Sequence, residues 1–159
     1  MLLLLADGTQ VPVAELPSQS AWTFLILQPD PASPGPGFLT RSGRVVVPDL
    51  RGRPGWGSAP GEPRFPDLVD DLDQVRTRAG LGRPVLVGLD ELAPLARQAA
   101  ADQPWAWRAL LLTGPAELPR LEVPALALEA DPAAAVEELL GRLGPGPGWA
   151  GIAPDAPPR

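Results

Sequence analysis

The sequence has no cysteine and no histidine, and every one of its basic residues is arginine. Without cysteine, disulfides, thiolate catalysis and cysteine-ligated zinc are excluded. Without histidine, the commonest general base and the commonest transition-metal ligand are missing. Long hydrophobic runs are also absent. Met1-Leu-Leu-Leu-Leu-Ala6 is short and carries no basic residue, so it does not read as a secretory signal, and nothing approaches the length of a membrane span. Positive charge is scarce: 13 basic residues stand against 19 acidic ones, for a net charge of −6. An acidic chain with no basic cluster is a poor partner for nucleic acid or an anionic membrane. The expectation is a soluble, cytoplasmic protein with no metal and no cofactor.

What is present is the makings of a core. The 159 residues suggest one domain, and the apolar fraction of 45% is ordinary for a globular protein. Proline (23) and glycine (17) are abundant, but they fall between strand-like and helix-like segments and so read as turns. The bias to Ala, Leu, Pro and Arg resembles that of a GC-rich bacterial genome and carries no chemistry.

In chain order, residues 2–6 and 10–14 flank Asp7-Gly8, a hairpin signal. Trp22–Leu27 is an apolar strand that runs into a Pro/Gly-rich loop through Gly37. Arg44–Val47 is a buried strand stopped by Pro48. Asp49–Arg64 is punctuated by glycine and proline and reads as a long loop. Pro66 opens a helix, with Asp67, Asp70 and Asp71 in its first turns and Leu68, Leu72 and Val75 on one face. Val85–Val87 is the next strand, then a helix from Glu91 to Ala101. Strands at Ala109–Leu112 and Val123–Leu128 and a helix at Ala133–Leu143 complete the pattern. Short apolar strands alternating with helices specify an α/β fold: a mainly parallel, doubly wound sheet with an N-terminal β-hairpin. Residues 1–144 form the expected domain. Residues 145–159 are a Pro/Gly-rich tail, with a candidate edge strand at Trp149–Ile152 followed by a mobile end.

Several runs together resemble the α/β-hydrolase fold superfamily. Val45-Val-Val-Pro-Asp-Leu-Arg-Gly52 with Gly57-Ser58 is similar to that family's V-x-x-P-D-L-R-G-x-G-x-S strand and loop. Leu68–Leu72 resembles its following helix, and Gly80–Gly88 the approach to its nucleophile elbow. Leu121–Leu128 with Asp131-Pro132 looks like the strand that carries its catalytic acid. The resemblance covers roughly residues 20–140 and implies a short member without a lid or cap domain.

The family's elbow reads G-x-S-x-G, or G-x-D-x-G in relatives with an aspartate nucleophile. Here it reads Gly88-Leu89-Asp90-Glu91-Leu92, so Asp90 stands at the nucleophile position and Leu92 replaces the second glycine. The resemblance places Asp131 at the acid position. Gln28-Pro29 stands where the family supplies an oxyanion-hole N–H, and proline has none. No residue matches the base.

These departures make the leading expectation a catalytically degenerate protein, a pseudoenzyme that acts by binding or self-association. On that reading Asp90 caps the following helix by accepting backbone N–H bonds. One alternative is a dehalogenase- or epoxide-hydrolase-like enzyme with Asp90 as nucleophile and Asp131 as supporting acid. Another is a small-ligand module using Gln28, Asp90 and Glu91 at the strand ends. Asp30, Asp90, Glu91 and Asp131 are candidates for an oxygen-lined cation site, but no loop spacing supports one. Ser58 has no imidazole or amine to activate it and reads as a turn residue. Trp105 and Trp107 read as core, with a partner patch the lesser reading, and the arginines from Arg41 to Arg53 as a solvated face or helix-end partners, ahead of a phosphate site. A homodimer through a sheet edge or the tryptophan region is the expected assembly.

Overall fold

The computed structural model describes residues 1–20, 22–31, 37–51, 53, 66–113, 123–128 and 132–143. Among these residues seven strands form one sheet: β1 (Leu2–Leu4), β2 (Gln10–Leu16), β3 (Thr23–Leu27), β4 (Arg44–Pro48), β5 (Val85–Gly88), β6 (Ala109–Thr113) and β7 (Ala125–Leu128). Their spatial order is β1-β2-β4-β3-β5-β6-β7. From β4 to β7 all neighbours run parallel, while the β1–β2 hairpin joins β4 antiparallel.

The strands form where the sequence is apolar on both sides of the pleat. In β3, Phe24 and Ile26 point into one core and Leu25 and Leu27 into the other, all four buried. Two helices, α2 (Pro66–Arg78) and α3 (Ala93–Asp102), belong to the core that holds Leu25, Leu27, Leu86 and Leu110. Two more, α1 (Gly37–Ser42) and α4 (Pro132–Leu143), serve the opposite core of Phe24, Ile26, Val45, Val87 and Leu111. This is the doubly wound α/β arrangement expected, with the carboxyl ends of β3 to β7 gathered on one rim.

Several boundaries differ from expectation. A helix, α1, lies between β3 and β4, in the residues left unassigned between the expected loop to Gly37 and the strand from Arg44. Helix α3 begins at Ala93, because Asp90–Leu92 forms a separate 3₁₀ turn. Strand β2 extends to Leu16, beyond the expected 14, because residues 13–16 pair with Pro48 to Val45 of β4. The tail 145–159, with its candidate strand at Trp149–Ile152, lies outside the described residues.

Trp107 is fully buried in the α2–α3 core, and its indole N–H donates to the Ala99 carbonyl at 3.2 Å. Trp105 packs against the same core beneath the Arg76 guanidinium, 5.4 Å from the ring centre. Arg53 is the largest departure from a solvated basic face. Its guanidinium grips Asp71 of α2 through two bonds of 2.8 Å and reaches Asp7 of the hairpin turn at 2.8 Å. Its side chain is 9% exposed and that of Asp71 3%. A second tie runs from the Ala6 backbone N–H to the Gln74 carboxamide oxygen of α2, at 2.7 Å. Among the described residues, no helix is long and apolar enough to cross a membrane.

Candidate functional site

The strand-to-helix junction after β5 is set by two residues. Gly88 ends the strand where backbone and helix come together: a Cβ there would lie 2.5 Å from Ala96 Cβ, 3.0 Å from Ala93 Cα and 3.2 Å from Leu112 Cδ2. Only glycine fits, and the small residues Ala93 and Ala96 supply the other side of the close approach. Asp90 then takes φ +52°, the only positive φ on a non-glycine residue among those described. That left-handed backbone turns the chain sharply out of β5 and costs roughly 1–2 kcal/mol, a cost aspartate carries more easily than most residues. The Leu89 backbone N–H donates to the Leu27 carbonyl at 2.9 Å and pins the turn to the end of β3.

One expectation about this turn is corrected, and one departure from the family's pattern is accounted for. Leu92, in place of the second glycine, does not prevent the tight geometry. It sits at φ −96° with its side chain half-buried against the core, while Gly88, Ala93 and Ala96 provide the close packing that a second glycine would have given. Nor does the Asp90 side chain cap the helix. Neither the 3₁₀ turn nor α3 has a side-chain cap hydrogen bond, because Leu89 and Leu92 occupy the cap positions. A residue at φ +52° lies inside the turn, where its carboxylate cannot follow the N–H groups of the next turn as an N-cap does.

The side chain that meets Asp90 comes instead from the end of β6. The Thr113 hydroxyl oxygen accepts the Asp90 backbone N–H at 2.7 Å, and the same hydroxyl donates to Asp90 Oδ1 at 3.3 Å. One hydroxyl thus holds both the strained backbone and the carboxylate. Thr113 did not stand out in the sequence. Its one signal was position: a hydroxyl residue directly after the apolar run Ala109–Leu112.

Gln28 is brought to the same rim, since β3 and β5 pair with Leu27 opposite Gly88. It is buried, and its carboxamide N–H donates to the Asp30 carbonyl at 3.0 Å, which folds the chain around Pro29. Asp90 and Glu91 are exposed on this rim. Among the described residues no basic side chain pairs with either carboxylate. Asp131 and Ser58 lie outside the described residues. Within them, no group of three or more acidic side chains is placed to hold a metal ion.

An open groove of about 310 Å³ lies farther along the rim, between Thr9–Pro12 of the hairpin and Asp49, Arg51 and Arg53 beyond β4. Its arginines are already engaged. Arg51 donates to both oxygens of Asp49 at 2.9 and 2.7 Å, which holds the Asp49 carboxyl below its usual pKa. Arg53 is held by Asp71 and Asp7. The groove therefore offers paired charge and does not include Asp90.

No family model matches the chain, and no curated protein matches it in sequence. Solved structures do resemble it. A predicted CIB-like hydrolase from Thermoplasma acidophilum superimposes with a TM-score of 0.60 at 14% identity, covering 80% of this chain and 72% of that one. An epoxide hydrolase from Vigna radiata gives 0.57 at 24% identity, covering 77% and 40%. A carboxylesterase from Nitrososphaera gargenis gives 0.54 at 18% identity, covering 75% and 47%. The chain spans less than half the length of the last two. At these identities the likeness is one of fold.

Proposed function

We propose that this chain, which has the α/β-hydrolase fold, is a catalytically degenerate form of it that uses the elbow rim for binding and not for hydrolysis. The observation that carries this reading is the state of Asp90. Its carboxylate and backbone N–H share one partner, the Thr113 hydroxyl, in a chain that contains neither histidine nor lysine. Ester hydrolysis at such an elbow needs a base to activate the nucleophile or the water that clears it. A threonine hydroxyl does not serve as that base at neutral pH. Pro29 supports the same view, since it removes an N–H donor from the region expected to help stabilise an oxyanion.

The exposed carboxylates of Asp90 and Glu91, adjacent and without a basic partner among the described residues, suit a small amine- or guanidinium-bearing ligand. A thermal-shift series with small amines and guanidines tests this. A stabilisation lost in the Asp90→Asn, Glu91→Gln double variant is the expected result. Hydrolysis of p-nitrophenyl esters well above the blank, abolished by Asp90→Asn, would overturn the non-hydrolytic reading.

One observation favours a second reading. The left-handed turn leaves Asp90 exposed at the rim; on this reading Asp90, at the elbow position of the sequence, would be the nucleophile and Asp131 the supporting acid. Intact-mass analysis after incubation with haloalkanes and epoxides decides it. A covalent adduct on Asp90 supports this reading, and no adduct across a broad panel removes it.

A further inference from the structure

Among the described residues, the outer side of β1 is an open sheet edge. Met1 and Val13 exchange backbone bonds of 2.8 and 3.1 Å, and the Leu5 N–H donates to the Thr9 carbonyl at 2.8 Å. The odd-numbered residues therefore face β2. By the alternation of an antiparallel ladder, the N–H and C=O groups of Leu2 and Leu4 point away from it. Among the described residues no strand pairs with that side. Sheet edges in natural proteins are commonly protected by charge, proline or a bulge. Leu2-Leu3-Leu4 has none of these, and the Leu2 and Leu4 side chains are 61% and 54% exposed.

We propose that β1 is the docking edge for a second copy of this chain, the two β1 strands pairing antiparallel about a two-fold axis at Leu3. This goes beyond the proposed use of the elbow rim and does not depend on it. The hydrogen-bonding parity is self-complementary about that axis. Leu2 of one copy lies opposite Leu4 of the other as a hydrogen-bonded pair, twice over, so the outward groups are matched. Leu3 meets Leu3 between them as a non-hydrogen-bonded pair. The side chains of Leu2 and Leu4 then flank those of the partner copy as cross-strand neighbours.

Charge selects the same place. The chain carries a net charge of −6, so two copies repel over most of their surface. The stretch Leu2–Leu5 has no charged side chain, and the one acid of the following turn, Asp7, is paired with Arg53.

Sedimentation over a concentration series tests the dimer first. A reversible rise from 16.7 kDa toward twice that mass is expected. A species that stays monomeric to about 1 mM would overturn the proposal. Leu4→Pro then probes the edge. It removes an outward N–H that the hairpin does not use, so the fold should stand while dimer affinity falls about 10-fold or more. A dimer of unchanged affinity in that variant would refute the β1 contact.

The absence of native cysteine allows a check of register that does not rely on proline being tolerated. Mixing Leu2→Cys with Leu4→Cys should give a disulfide-linked heterodimer, because hydrogen-bonded pairs place Cα atoms about 5.5 Å apart, within disulfide range. Each variant alone should crosslink far more slowly. Equal crosslinking in all three samples, none in any, or recovery of the chain on lipid vesicles as a monomer would count against the pairing.

Discussion

Replacing Asp90 by glycine and, separately, by alanine isolates the strain in the elbow from the chemistry of its side chain. Both variants lose the carboxylate and its 3.3 Å contact with the Thr113 hydroxyl, and both keep the backbone N–H that donates to Thr113 at 2.7 Å. They differ in what φ +52° costs them. Alanine meets the left-handed penalty of roughly 1–2 kcal/mol, which glycine escapes. Glycine in turn loses about 0.4–1 kcal/mol through the greater entropy of its unfolded chain. The balance leaves Asp90→Gly more stable than Asp90→Ala by about 0.5–1 kcal/mol. For a domain of this size that is a gap of about 1–4 °C in Tm. Urea denaturation of both variants at one pH, with equal m-values, measures it directly. At an ordinary helix start the order would be reversed, with alanine the more stable. An alanine variant as stable as the glycine variant, or more so, would refute the strained-turn argument.

Three further outcomes follow from the geometry. Gly88→Ala pushes a methyl to 2.5 Å from Ala96 Cβ and within 3.0 Å of Ala93 Cα, so α3 must move; a loss of about 2–3 kcal/mol in urea unfolding is expected. Asp71→Asn leaves the nearly buried Arg53 guanidinium without its main counter-charge, which should cost about 3 kcal/mol by the same assay. The third concerns acid. The backbone N–H of Thr9, and after it the Arg53 guanidinium, lower the Asp7 pKa from 3.8 to about 2. A carboxylate with a depressed folded pKa gives stability that is fully present above its unfolded pKa. That stability is lost as the pH falls through the folded value. Asp7→Asn should therefore flatten the stability profile between about pH 4 and pH 2 and leave its slope near neutrality unchanged.

Much of the sheet was legible because its strands are written as unbroken apolar runs: Val45–Val47, Val85–Val87 and Ala109–Leu112 are buried on both faces, and each is followed by a turn signal. Helix α1 was not legible. Its six residues follow a Pro/Gly run and have no acidic first turn, so only packing against β4 and α4 reveals them. The elbow was found but its interior was misread. Aspartate at a strand-to-helix junction suggests an N-cap from propensity alone, whereas the turn spends that residue on a positive φ. Its partner, Thr113, is 23 residues away, and nothing local announces the contact. Arg53 failed for a related reason. An arginine inside a Pro/Gly loop reads as solvated until the fold sets Asp71 and Asp7 beside it.

The strand order has a consequence for how the chain is made. Residues 2–48 supply β1, β2, β4 and β3, which are four consecutive places in the sheet. After them β5 is added beside β3, then β6 beside β5 and β7 beside β6, all on the same growing margin. One strand, β4, enters between the earlier β2 and β3, but none of β5, β6 and β7 has to be inserted between two earlier strands. During synthesis residues 2–48 can therefore assemble a half-sheet before the later strands emerge, and β5, β6 and β7 each find their neighbour already in place. The parallel pairings, slow to form in a free chain because their partners are distant, are presented in the order in which they are needed.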